Sequence, residues 1–280
     1  MNLFGKQQDK APKSQAELLY DAHVRKERQF KTNVAISWIV LLLFLLFLFS
    51  GQNLPFGIHA IKLDSAFISE NIGFIGFGIG VTIEISLLSI ALATVLALLA
   101  ALGRLSTFPP VYAVSTFYVS LIRGTPLYLQ IFFFFLALPQ LGINLPGLWA
   151  GVLALGLNYG AYMSEIFRAG IASVGKGQRE AAMAIGMTPT QTMQRIVIPQ
   201  AMRFAIPPMG NEFIAMTKDS ALVSATGFVH ELMWRAEKVG RAQFRSLEAL
   251  IMAAIFYWMM TLILSYAQNL LESRLSKGDR

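Results

Sequence analysis

Cysteine is absent from all 280 residues, which excludes disulfides and thiolate metal sites. Histidine is scarce, with three residues, and neither these nor the carboxylates fall at metal-ligand spacing. No glycine-rich phosphate loop of the P-loop type occurs, so the chain shows no means of hydrolysing ATP itself. Charge is also thin. Only 14% of residues are charged against 55% hydrophobic, far from an ordinary soluble domain. The formal charge of +7 therefore records membrane topology and does not point to nucleic acid.

What is abundant is apolar sequence in runs of about 20 residues, the length a helix needs to cross a bilayer. Such runs cover residues 34–49, 74–102, 111–138, 147–171, 201–229 and 247–271. They predict an all-α integral membrane protein of about six transmembrane helices. The first run is short and follows a basic segment, 1–33. It lacks a small-residue cleavage site, so it reads as a retained helix over 34–50 and not as a secretory signal. With the N-terminus inside, sixteen basic residues fall in cytoplasmic segments. Five fall in outer loops: Lys62, Arg235, Lys238, Arg241 and Arg245. That bias puts both termini and the 176–200 loop in the cytoplasm.

Residues 180–199 read E-A-A-M-A-I-G-M-T-P-T-Q-T-M-Q-R-I-V-I-P. The stretch up to Ile185 is rich in helix formers, and Gly186 suits a left-handed stop. Thr188 is an N-cap candidate, Pro189 fits a first helical turn, and Gln191 completes a capping-box pattern. Pro199 is expected to end the second helix. Ala181, Ala182 and Ala184 are small enough for a partner to approach closely. The bland alternative is a solvated helical loop. The spacing of Glu180, Ala181, Ala182, Gly186, Ile196 and Pro199 resembles the EAA signature of membrane subunits of ATP-binding-cassette importers, with Ile198 replacing the usual Leu.

Three further segments narrow the resemblance to the polar amino acid permeases. Residues 121–130 read L-I-R-G-T-P-L-Y-L-Q, 158–171 read N-Y-G-A-Y-M-S-E-I-F-R-A-G-I, and 211–224 read N-E-F-I-A-M-T-K-D-S-A-L-V-S. The last departs from that family's pattern at Ala221, where Ser is common. The resemblance covers about 73–275. It implies a five-helix type I importer domain there, with a coupling loop at 176–200 and the 34–50 helix as an addition.

Polar residues also stand in costly places. Glu212, Lys218 and Asp219 fall within the fifth apolar run, where unpaired charge costs several kcal/mol in lipid. Glu212 and Asp219 are seven positions apart, two turns along one helix face, while Lys218 points about 100° away. An amino acid presents a carboxylate and an ammonium, which Lys218 and Asp219 can match, leaving Glu212 for a cationic side chain. The competing reading is internal neutralisation of Lys218 by either carboxylate. Arg123 either contacts an anionic group or braces the helix break made by Gly124 and Pro126. Glu165 and Arg168 read as a helix-surface ion pair. Glu84 faces a subunit interface or a cavity. The Gly73, Gly76, Gly78 and Gly80 series is read as packing. The segment 230–247 is either a surface helix with ion pairs or a docking surface.

The resemblance implies a permease subunit of an ATP-driven importer for polar amino acids, leaning to basic or broad substrates. Substrate contacts are expected at Glu212, Lys218, Asp219, Ser220, Arg123 and Thr125, and ATPase coupling at Glu180, Ala181, Ala182, Gly186 and Pro199. No cofactor is expected on this chain, with ATP and Mg on a partner ATPase dimer. A second membrane subunit and an extracytoplasmic substrate-binding protein complete the expected partners in a bacterial inner membrane. The rival is a stand-alone ion- or proton-coupled carrier using Glu212 and Asp219, but the chain shows no inverted repeat.

Overall fold

The computed structural model describes residues 15–50 and 61–275. The chain divides into two compact units, Met1–Asp64 and Ser65–Arg280. In the first, α1 runs unbroken from Gln15 to Leu48. It has no glycine or proline to stop it. The helix therefore starts well before the apolar run at 34 from which it was expected.

Every regular element among the second unit's described residues is a helix. α2 (Ser65–Gly76) and α3 (Gly78–Gly103) form one apolar stretch of 39 residues. α4 (Pro109–Arg123) and α5 (Leu127–Phe132) follow. A π-helical turn, Phe133–Ala137, carries α5 into the short α6, Leu138–Gln140. Then come α7 (Gly147–Ser173), α8 (Lys176–Ala184) and α9 (Pro189–Thr192). A second π turn, Met193–Val197, leads into α10 (Ile198–Asp219) and a 3-10 turn, Ser220–Thr226. α11 (Leu232–Ala242) and α12 (Ser246–Leu275) close the unit.

Among the described residues, three stretches are long and apolar enough to cross a membrane: Ala22–Leu48, Ser65–Gly103 and Ser246–Arg274. The expected third span is not straight. It is α4 and α5–α6, bent by 106° at the break. The expected fourth and fifth spans correspond to α7 and α10, long helices that fall short in hydropathy. The reason is position. α7 is enclosed by neighbours along most of its length, and α10 carries Glu212, Lys218, Asp219 and the internal prolines Pro207 and Pro208. A helix shielded from lipid need not be uniformly apolar.

The core forms where α3 and α7 pack against each other, with Ile85, Ala93, Ala97, Leu155, Met163 and Phe167 buried. Close approach depends on small residues: a Cβ at Gly156 would lie 2.7 Å from Leu92. In lipid, contacts of this kind supply association energy that water exclusion does not. The N-terminal glycine series divides: Gly76 and Gly78 lie against Phe256 and Leu232, whereas Gly73 and Gly80 face open space. Only the first two pack.

A second core joins α2, α11 and α12 through Phe67, Ile75, Leu232, Ala236 and Met252. Glu231 is fully buried beside it and caps α11, accepting the Trp234 N–H at 2.8 Å. Its carboxylate also accepts from the Tyr257 hydroxyl at 2.5 Å and the Thr82 hydroxyl at 3.3 Å. Burial pushes the Glu231 carboxyl above its ordinary range, and these hydrogen bonds oppose that shift.

Candidate functional site

The break between α4 and α5 opens the site. Gly124 and Pro126 interrupt the helix and free carbonyl groups that need donors inside the protein. Gln130 supplies them. Its amide nitrogen donates to Ile122 O at 2.8 Å, Thr125 O at 3.1 Å and Thr125 Oγ1 at 2.9 Å. Asn158 on α7 in turn donates to Gln130 Oε1 at 3.0 Å. The break is thus held by a buried amide pair and not by Arg123. Gln130 went unassigned from the sequence, although it is the polar residue in L-Y-L-Q-I-F.

Beside this break lies a cavity of about 400 Å³, lined by Thr125, Pro126, Leu127, Asn158, Tyr159, Tyr162, Glu212 and Asp219. The two-turn spacing on α10 brings both carboxylates to the same cavity. Asp219 accepts a hydrogen bond from the Tyr159 hydroxyl at 2.8 Å. Two tyrosines, the Asn158 amide and two carboxylates therefore line it, and among the described residues no cationic side chain does. Such a wall favours a cationic or donor-rich guest.

Of the expected contact residues, Glu212, Asp219 and Thr125 meet at this cavity. Lys218 is exposed and is not part of the lining. Ser220 is buried, and its hydroxyl donates to Thr217 O at 2.9 Å. Arg123 also lies outside the lining. It stands over the Tyr162 ring at 5.3 Å and reaches Glu165 at 3.3 Å.

Glu165 is the hub of a larger cluster than the expected pair with Arg168. Arg104 and Arg123 share its Oε1, and Arg168 Nε donates to Oε2 at 2.7 Å. One carboxylate thus ties the end of α3, the end of α4 and α7. The i,i+3 spacing revealed Arg168; Arg104 lies 61 residues away and carried no local signal.

The 176–200 loop folds by its own turn chemistry. Gly186 takes φ +82, a conformation that suits glycine after α8. Thr188 Oγ1 accepts from the Gln191 N–H while Gln191 Oε1 accepts from the Thr188 N–H, a complete capping box. Pro189 sits in the first turn of α9. Pro199 does not end a helix, however. It lies just past the π turn that carries α9 into α10, inside one helical run. Ala182 is buried within the protein's own fold, while Glu180, Ala181 and Ala184 are exposed. Met183 and Ile185 are 55% and 80% exposed, an apolar surface unusual for a polar loop. Arg179 anchors the loop by donating to Ile171 O at 2.7 Å.

The fold thus presents an acidic cavity between helices and a two-helix loop with exposed residues. A family model described as the inner membrane component of binding-protein-dependent transport systems matches residues 93–277. The chain belongs to that family. The arginine transport system permease protein ArtQ of Bacillus subtilis is 39% identical over 219 residues, covering 78% of this chain and 100% of ArtQ. The L-cystine transport system permease protein TcyB of the same organism is 42% identical over 201 residues, covering 71% and 86%. A solved structure described as an amino acid ABC transporter with histidines is 37% identical. It superposes with a TM-score of 0.71, covering 76% of this chain and 99% of that one. The methionine transporter MetNI, at 14% identity and a TM-score of 0.59, shares the fold.

Proposed function

We propose that this chain is the permease subunit of an ATP-driven importer of amino acids, with a preference for cationic side chains. The observation that carries the preference is the cavity wall holding Glu212 and Asp219 with no cation among its lining residues. Relatives that include an arginine, an L-cystine and a probable glutamine permease support the substrate class. In this reading ATP and Mg bind partner ATPase subunits, which grip the exposed face of α8 around Glu180, Ala181, Met183 and Ile185. A second membrane subunit, identical or related, completes the pathway, and an extracytoplasmic binding protein delivers substrate. Both termini and the 176–200 loop lie in the cytoplasm. ATPase closure moves α8 and α9, and the continuous α9–α10 rod passes that movement to the helix bearing Glu212 and Asp219.

Vesicles holding the assembled complex should accumulate arginine or lysine only with ATP supplied on the ATPase side. Vesicles holding this chain alone should show no uptake under a proton or sodium gradient. Gradient-driven uptake by the chain alone would favour the carrier reading and overturn this one.

A further inference from the structure

The N-terminal unit carries a charged surface that the transport reading does not use. Between residues 22 and 33, α1 bears His23, Arg25, Lys26, Arg28 and Lys31 against the single acidic Glu27. Lys31 pairs with Glu27 at 2.9 Å. The hydroxyls of Thr32 and Ser37 donate to the helix backbone, to Arg28 O at 3.0 Å and Asn33 O at 2.9 Å. Arg25, Lys26 and Arg28 are left charged, exposed and without a partner among the described residues.

The same helix then becomes apolar without a break, and Ala22–Leu48 qualifies as a membrane span. Residues 39–48 are apolar at every position, so no face carries the small or polar residues used in helix–helix contacts. Lipid is the environment that sequence suits. At 1.5 Å per residue, Arg28 lies about 9 Å and Arg25 about 14 Å before Val34 along the axis. The polar layer of a bilayer is roughly 5–8 Å deep on each side. Lys31 and Arg28 therefore reach headgroups through their long arms, and Arg25 and Lys26 lie within about one Debye length of that layer.

We propose that residues 25–31 of α1 bind anionic phospholipid headgroups and hold them as a local shell around the N-terminal end of this helix. The partner is identified by charge complementarity and by position: unpaired cations fixed at a bilayer surface meet lipid phosphates first. A basic residue at an anionic surface contributes roughly a fivefold preference, and three together give about a hundredfold at low salt. The proposal concerns the N-terminal unit alone and does not depend on the transported solute.

Because the chain has no cysteine, Gln29→Cys accepts a single fluorophore beside these residues. The full chain is reconstituted in phosphatidylcholine vesicles containing a trace of headgroup-labelled phosphatidylglycerol or, in parallel, labelled phosphatidylcholine. Energy transfer should report phosphatidylglycerol enriched at least about fivefold over phosphatidylcholine. The enrichment should fall towards unity in about 0.5 M salt. It should fall likewise in the variant R25Q/K26Q/R28Q/K31Q. Equal transfer from the two lipids overturns the proposal, as does enrichment that survives the fourfold substitution. Soluble polyphosphate that abolishes the enrichment at matched phosphate concentration also overturns it, since the site would then prefer a free polyanion. The salt arm uses the unsubstituted basic residues, so it decides even where the variant inserts poorly.

Discussion

The Tyr159 hydroxyl on α7 donates to the Asp219 carboxylate on α10 at 2.8 Å, fixing one of the two acids of the mid-protein cavity. The bond crosses 60 positions of sequence and joins the most enclosed helix to the helix that follows the exposed loop. Movement of α10 therefore has to carry Asp219 relative to Tyr159 or drag α7 with it.

Tyr159→Phe removes this donor and keeps the ring. A hydrogen bond to a charged group contributes about 1.5–3 kcal/mol, so the arginine concentration that half-stimulates ATP hydrolysis should rise roughly tenfold to a hundredfold. The maximal stimulated rate should change less. Titration of arginine against ATPase activity in the reconstituted complex measures both, and an unchanged half-point would mean that Asp219 needs no orienting partner.

Glu165→Gln leaves Arg104, Arg123 and Arg168 facing one another without their shared carboxylate. The cluster is partly exposed, with the Glu165 side chain 23% accessible. The cost therefore lies between that of a surface pair and a buried one, about 1–3 kcal/mol. The melting temperature of the purified protein should drop by several degrees. Glu165→Asp should recover part of the loss. A melting temperature equal to that of the parent would show that solvent already screens the cluster.

Gly186→Val puts a β-branched side chain at φ +82 and strains the turn between α8 and α9. Nothing lies within 4 Å of the added Cβ, so the effect comes from the backbone and not from a clash. Membrane insertion should be preserved while ATP-dependent uptake is lost. Glu180→Lys, at an exposed position, should uncouple in the same way. Normal uptake by either variant, with the ATPase bound, would remove the coupling role from this loop.

How much of this was legible in the sequence follows from the range of each interaction. The turn at Gly186 and the capping box of Thr188 and Gln191 are local, three to five residues in extent, and the sequence predicts them directly. Glu212 and Asp219 share a cavity because helical periodicity alone puts them on one face. For Lys218 periodicity says only that it points away from those two acids and not what lies there. Pro199 was ambiguous in principle: proline suits a first helical turn as well as a stop, and the π turn that feeds it has no sequence signature. The Gln130–Asn158 pair and the Arg104–Glu165 contact depend on how α3, α5 and α7 meet, which no local pattern encodes.

The most direct test of the account is the substrate ranking of the complex with Glu212→Gln. In the parent, arginine and lysine should stimulate ATP hydrolysis at lower concentration than glutamine or glutamate. A charge-assisted bond from a carboxylate to a guanidinium or ammonium is worth about 1.5–3 kcal/mol, so Glu212→Gln should erode that advantage roughly tenfold to a hundredfold. Neutral substrates should be little affected. Retention of the parent ranking by Glu212→Gln would contradict the account, because the cavity's acidity would then play no part in selecting what is carried.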